Sequence, residues 1–305
     1  MQYINLVSTD NNIYYYRPSE NLRRLFEDLA VKPLSESRPD VAVNPSMMHA
    51  LSRPVLDRGT TNFDASTGGY TPKDKVLLYC VYYMPMHLYS SYHFYTTTLI
   101  PLITASNVIF VDFGCGPLTS GIAFWAASVE SNLFTTYIGI DTSETMQTKA
   151  REINQYGFRP DRPEYRWETQ FYPDVRFYRI SDYIHQLTSV LEENIMQSYG
   201  DTLIIFNFSY FLQSRTVNIS NLAKVISDLI SQHSRYKFSI VYQDPTGDRF
   251  QQKWYRFKNQ MAKNTQVFES LTWQDNLNLT PVKYDRLLIP GQDLPRVYYA
   301  MSQNW

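Results

Sequence analysis

A chain of 305 residues with 44% hydrophobic residues and a formal net charge of −1 is long enough to bury a sizeable core. Its charge gives no global pull toward nucleic acid or a membrane surface. Two cysteines, Cys80 and Cys115, exclude a disulfide framework or a four-thiolate metal site, and with no secretory pattern in MQYINLVSTDNNIYYY they fit a reducing, cytoplasmic setting.

In chain order, Ser19 to Ala30 reads as a helix, with Leu22, Leu25, Phe26 and Leu29 at helical spacing. Residues 34 to 72, rich in Pro, Ser, Asp and Gly, read as loops with one short helix. Thr71-Pro72 looks like an N-cap followed by proline at the first helical position. Two aromatic helices should follow, broken at Pro85. Val76 to Val111 holds no Asp, Glu, Lys or Arg, which invites a transmembrane reading. Its proline, histidines and many hydroxyls argue instead for soluble helices without membrane contact. Residues 1–104 are therefore expected to form a helical, tyrosine-rich lid, and residues 105–305 the main domain.

Past residue 105, strands and helices alternate. Val108–Asp112, Thr136–Asp141, Val175–Ile180, Thr202–Asn207 and Phe238–Gln243 read as strands. Thr119–Val129, Ser143–Gln155, a helix carrying Leu222, Val225, Ile226, Leu229 and Ile230 on one face, and Gln251–Lys263 read as helices. Strands near Tyr284–Ile289 and Arg296–Met301 are expected to close the chain as an antiparallel edge pair. Such alternation predicts an α/β fold, a mostly parallel sheet with helices on both faces.

Three strand ends carry chemistry. Val108-Ile-Phe-Val-Asp112-Phe-Gly114-Cys-Gly116-Pro-Leu-Thr119 ends a buried strand on an acid, then a glycine turn and a helix start. Glycines at 114 and 116 let the backbone approach a ligand. Asp141 ends the next strand, where a carboxylate can accept both ribose hydroxyls of an adenosine ligand. Asp182 follows the third strand, where it can accept from an adenine amino group.

With these motifs the chain resembles the class I S-adenosylmethionine (SAM) dependent methyltransferases. The resemblance implies a Rossmann-like seven-strand sheet with an antiparallel edge pair, and SAM as cofactor. It places Gly114 and Gly116 under the methionine part, Asp112 behind its amino group, Asp141 on the ribose, Asp182 on the adenine, and Asn207 after the fourth strand. Leu118 departs from the usual small residue of the loop. Asn207-Phe-Ser209-Tyr210-Phe-Leu212 and Gln243-Asp244-Pro245-Thr246-Gly247 are also similar to the ribosomal small-subunit methyltransferase-like family of mitoribosome assembly. That family typically carries a four-cysteine cluster, which this chain cannot build.

The acceptor is unidentified. Asn207-Phe-Ser-Tyr210 differs from the Asn/Asp-Pro-Pro-aromatic motif of exocyclic-amine methyltransferases, and neither cysteine suits C5 transfer. His87, Asn207 and Tyr210 are candidate catalytic residues. Tyr89, Tyr92, His93, Tyr210 and Asp244 are the residues expected to shape an acceptor pocket. Two basic-aromatic stretches suit RNA. One runs through Arg151, Arg159, Arg162, Arg166, Arg176 and Arg179 with Tyr165, Trp167 and Phe171. The other holds Arg249, Lys253, Arg256, Lys258 and Lys263 around Trp254, Tyr255 and Phe257. A small molecule or protein acceptor is favoured over RNA by the neutral charge balance. The alternative is a SAM-binding module that no longer transfers methyl and acts as an RNA- or ribosome-associated assembly factor.

Overall fold

The computed structural model describes residues 4–8, 13–41, 45–129, 131, 133–156, 171–172, 174–179, 185–196, 201–286 and 289–304. The buried run of Val108–Phe113 pairs on both sides with equally apolar strands, as strands of a parallel sheet covered on both faces must. Here β3 (Asn107–Phe113) lies between β4 (Phe134–Asp141) and β6 (Thr202–Ser209), with β5 (Val175–Arg179) outside β4 and β7 (Lys237–Pro245) outside β6. β11 (Val297–Asn304) inserts antiparallel beside β7, and β8 (Thr272–Gln274) closes the edge antiparallel to β11. The order is β5-β4-β3-β6-β7-β11-β8, the expected seven strands with an antiparallel pair at one edge.

The strand near Tyr284 is displaced from its expected place. β9 (Val282–Arg286) pairs with β10 (Ile289–Asp293) and, in parallel, with β2 (Tyr14–Pro18), which forms a hairpin with β1 (Ile4–Ser8). This second sheet joins the two ends of the chain, a long-range pairing that no local pattern encodes. The main-sheet edge is formed by Thr272–Gln274 instead, too short to show alternation.

Helices α6 (Thr119–Ser128), α7 (Glu144–Asn154), α8 (His185–Met196) and α9 (Ile219–Gln232) follow their strands, and α9 buries Leu222, Val225, Ile226, Leu229 and Ile230 as expected. In the first hundred residues, α1 (Glu20–Phe26) starts at N-cap Ser19 and runs through a π-turn at 27–31 into α2 (Lys32–Ser37), with α3 (Pro45–Ser52) beyond. Thr71 opens α4 (Pro72–Tyr82) with a reciprocal capping box: its hydroxyl accepts from Asp74 N–H at 3.2 Å, and Asp74 accepts from Thr71 N–H at 2.9 Å. α5 (Met84–Phe94) restarts after Tyr83 with Pro85 in its first turn. Side chains of α4 and α5 share one apolar core with Val108, Phe110 and Tyr137 of the main sheet. Among the described residues, no helix is long and apolar enough to cross a membrane.

On the far side of the sheet, α10 (Asp248–Met261) buries Trp254, whose ring stacks on Tyr242 at 4.6 Å and 2° while its indole N–H donates to Asp275 at 3.0 Å. Trp254→Ala would therefore open a core cavity; urea denaturation should show a loss of about 3–5 kcal/mol.

Candidate functional site

The C-terminal ends of β3, β4 and β6 rim a cavity of about 800 Å³, the edge where open parallel sheets take ligands. After β3 the chain turns through Gly114 (φ +66°), Gly116 (φ +50°) and Leu118 (φ +68°) before α6. A Cβ at Gly114 would stand 2.7 Å from the Phe211 ring, whereas one at Gly116 would meet nothing nearer than Gly114 O at 3.9 Å. Gly116 thus presents bare backbone to the cavity. Leu118 is fully buried, and a Cβ at Gly121 would lie 2.7 Å from its Cδ1. The larger loop residue is accommodated by a missing side chain one turn later.

Asp141 ends β4 on the cavity wall. Its Oδ2 accepts from Gly116 N–H at 3.0 Å and its Oδ1 from Ser143 N–H at 2.9 Å. The carboxylate ties the glycine turn to the start of α7 and keeps acceptor capacity for a further donor. Burial raises its pKa against these backbone bonds.

Asp112 and Asn207 lie beneath this wall, not on it. Asp112 is 1% exposed; Tyr137 Oη donates to its Oδ2 at 2.6 Å and Asn207 Nδ2 to its Oδ1 at 2.7 Å. Asn207 Oδ1 in turn accepts from Tyr95 Oη at 3.0 Å and Ser209 Oγ at 2.7 Å. Gln243 extends the chain by donating to Ser209 and, at 2.6 Å, to Ser91. Ser90 donates to Gln243 Oε1 at 3.1 Å, and Tyr210 Oη donates to Ser90 at 3.1 Å. The network welds α5 to the ends of β3, β6 and β7.

Tyr210 faces the cavity with a left-handed backbone (φ +57°). Its ring stacks on His87 at 3.7 Å, and His87 Nδ1 meets the Tyr79 hydroxyl at 3.2 Å. Burial pushes the imidazole pKa down to about 3, so His87 is neutral. The structure therefore groups His87, Tyr79 and Tyr210 at the cavity's edge. Tyr89, Tyr92 and His93 go elsewhere, buried around Tyr16 on the side of the second sheet. Asp244 is fully buried and accepts from Gln213 at 3.1 Å, with its pKa pushed up to about 7 by burial. Asp182 lies outside the described residues.

The basic stretches are partly drawn into the fold. Lys258 pairs with Asp275, Lys253 donates to Ser214 O at 2.6 Å, and Trp254 is core rather than a stacking platform. Arg249, Arg256 and Lys263 remain exposed. In the other stretch, Arg151 pairs with Glu144, Arg176 donates to Asn194 at 2.5 Å and Phe171 is buried, while Arg159, Arg162, Tyr165, Arg166 and Trp167 lie outside the described residues.

Sequence reasoning missed residues 54–67, which line much of the cavity together with Tyr79 and Arg215. The run Asp57-Arg-Gly-Thr-Thr-Asn-Phe-Asp64 marks a turn-rich loop, and nothing local says what it covers.

Central strand β3, the glycine turn at its end, Asp141 at the end of β4, and antiparallel β11 set between β7 and the edge are now all in place. The fold is that of the class I SAM-dependent methyltransferases. No protein-family model and no curated protein sequence matches the chain. Among solved structures it is similar to the plantazolicin methyltransferase BpumL in complex with SAH, at 13% identity over 94% of this chain and 98% of that one, with a TM-score of 0.36. A putative SAM-dependent methyltransferase from Methanococcus maripaludis shows 13% identity over 75% of this chain and 91% of that one, TM-score 0.37. A SAM-dependent methyltransferase from Leishmania major shows 9% identity over 91% and 82%, TM-score 0.36.

In this methyltransferase fold Asp112 has a consequence for pH. Burial pushes its carboxyl up to about 7, against the bonds from Tyr137 and Asn207, from an ordinary value of 3.8. The folded chain then holds a proton that the unfolded chain releases, so stability falls as pH rises from about 4 to 7. One such group sets a slope of up to about 1.4 kcal/mol per pH unit. Asp112→Asn should reduce the slope of the urea midpoint across that window, leaving a comparable slope from Asp244, whose carboxyl burial also pushes up to about 7, and a contribution from Asp141.

Proposed function

We propose that the chain is a SAM-dependent methyltransferase, and the observation that carries the reading is the Gly116–Asp141 contact on the cavity wall. Bare backbone at Gly116 leaves room for the methionine part of SAM, where a Cβ would intrude. Asp141 keeps acceptor capacity for the ribose hydroxyls. The fit of these two residues to SAM is a property of their placement, since both face the same cavity.

SAM supplies an activated methyl group. The residues of this chain have three tasks: to hold the cofactor, to align an acceptor nucleophile and to exclude water. Ser209, Tyr210 and Phe211 occupy the wall after β6, with Tyr79 behind them; they are the residues placed to orient the acceptor. Neutral His87, bonded to the Tyr79 hydroxyl and stacked on Tyr210, holds both side chains at the cavity's edge. Asp112 and Asn207 act from beneath by holding the strand ends. A small molecule or protein group is the favoured acceptor over RNA, because Lys253 and Lys258 are engaged within the fold and Trp254 offers no free face.

Asp141→Ala should lower affinity for SAM and S-adenosylhomocysteine (SAH) at least ten-fold in calorimetry, by the loss of paired hydrogen bonds to a charged acceptor, with the circular dichroism spectrum intact. Equal affinity in the variant would remove the ribose assignment.

Incubation of the wild-type protein with SAM and fractionated cell extract should release SAH, and small-molecule or protein fractions should support it better than RNA. Tight binding without any release would favour the binding module that has lost transfer.

A further inference from the structure

Residues 54–67 reach both banks of the cavity and are fastened at each by different means. On the β4 side Asp64 receives the first turn of α7. Its Oδ1 accepts from Ser143 Oγ at 2.8 Å, Thr145 N–H at 3.0 Å and Thr145 Oγ1 at 2.8 Å, and its Oδ2 from Glu144 N–H at 3.1 Å. A helix N-terminus offers unpaired N–H groups and a positive dipole end, so a carboxylate there is held firmly. Arg179 stands 3.6 Å from the same carboxylate. Behind the segment, fully buried Lys75 donates to Asn62 O and, at 3.4 Å, to Thr67 Oγ1.

The β6 side is held differently. Asp57 pairs with Arg215 at 2.8 Å, but the two side chains are 46% and 76% exposed. An exposed ion pair of this kind contributes little. The backbone beside it is also unfavourable, since Asp57 (φ +42°) and Arg58 (φ +57°) both occupy the left-handed region. The Asp64 end is tied to α7 by four hydrogen bonds; near Asp57 the chain is held in the core by buried Val55 and Leu56, and only its reach across to Arg215 rests on the exposed ion pair and the strained turn.

We propose that Asp64 is a positioning residue of the binding site: it anchors residues 54–67 on α7 as a strap, so that Thr60, Thr61, Asn62 and Phe63 share the cavity wall with Gly116 and Asp141, and ligand passes where the Asp57–Arg215 latch opens. Only the identity of the ligand rests on the SAM reading. The anchor end stays with the nucleoside side of the site, whereas the latch end lies beside Ser214 and Thr216 on the side where the acceptor is placed.

The test uses the full chain and two readouts, hydrogen exchange without ligand and SAH binding kinetics by surface plasmon resonance. Asp57→Asn should speed exchange across 57–61 alone. It should raise SAH association and dissociation rates together by about three-fold, the scale of an exposed ion pair. Asp64→Asn should speed exchange in both 60–64 and 143–146 and weaken SAH about ten-fold, chiefly through dissociation. Thr145→Val, which removes one donor and leaves the carboxylate, should produce the same pattern in smaller measure and serves if the Asp64 variant does not fold. Faster exchange in the Asp64 or Thr145 variant with wild-type SAH rates would make the strap purely structural and overturn the proposal. Unchanged rates in Asp57→Asn would overturn the latch as the entrance. If the wild-type chain binds no SAH, the cofactor reading fails, and the exchange pattern alone decides whether Asp64 anchors the strap.

Discussion

Asp112, next to last in the central strand, has its carboxylate shut away from water, and its two oxygens are met by Tyr137 and Asn207. A buried carboxylate must find such partners or stay protonated, and here the requirement propagates. Asn207 needs donors for its own oxygen and takes them from Tyr95 and Ser209; Gln243 and Ser90 complete the chain as far as Tyr210. A polar network with each member engaged admits one arrangement of the elements that carry it. The ends of β3, β6 and β7 and the axis of α5 are therefore set together, and the cavity wall above them inherits that geometry.

The same need for buried donors accounts for several of the 25 tyrosines of the chain. A phenol can lie in an apolar layer and still deliver a donor to a buried acceptor. Tyr95, Tyr137 and Tyr210 do this at the sheet edge, and Tyr172 does it by donating to Gly121 O at 2.7 Å. Tyr16, Tyr89 and Tyr284 instead stack between α5 and the second sheet, fastening the chain's first strands to its last. The uncharged stretch from Val76 to Val111 is thus a core element. Its hydroxyls satisfy polar groups in the sheet it covers, which a lipid-facing helix would have no use for.

The glycine turn and Asp141 were legible because both are local: a buried strand of apolar residues ends, and the next residues must turn. The capping box at Thr71 and the restart at Pro85 were legible for the same reason. Asp112 and Asn207 carry the right residue types at strand ends, but side-chain direction follows from the strand's register against its neighbours, and both point into the network. Tyr89, Tyr92 and His93 lie on the same helix as His87, yet helical rotation sends them to the opposite side from the cavity. Lys253, Lys258 and Trp254 read as a basic-aromatic surface because spacing alone does not reveal that Ser214 and Asp275 are their partners.

The sequence by itself determined the alternation of strands and helices, the sharp turn after β3 and the carboxylate after β4, since hydrophobic period and glycine backbone freedom act over a few residues. Only the tertiary structure decided that β9 leaves the main sheet for β2, and that a short strand at 272–274 takes the edge. It alone decided that residues 54–67 reach over the cavity to α7. Those pairings join positions up to 270 residues apart, as in the bond from Tyr15 to Asp285. They are selected by the unpaired N–H groups, strand edges and buried charges that remain once the local elements have formed.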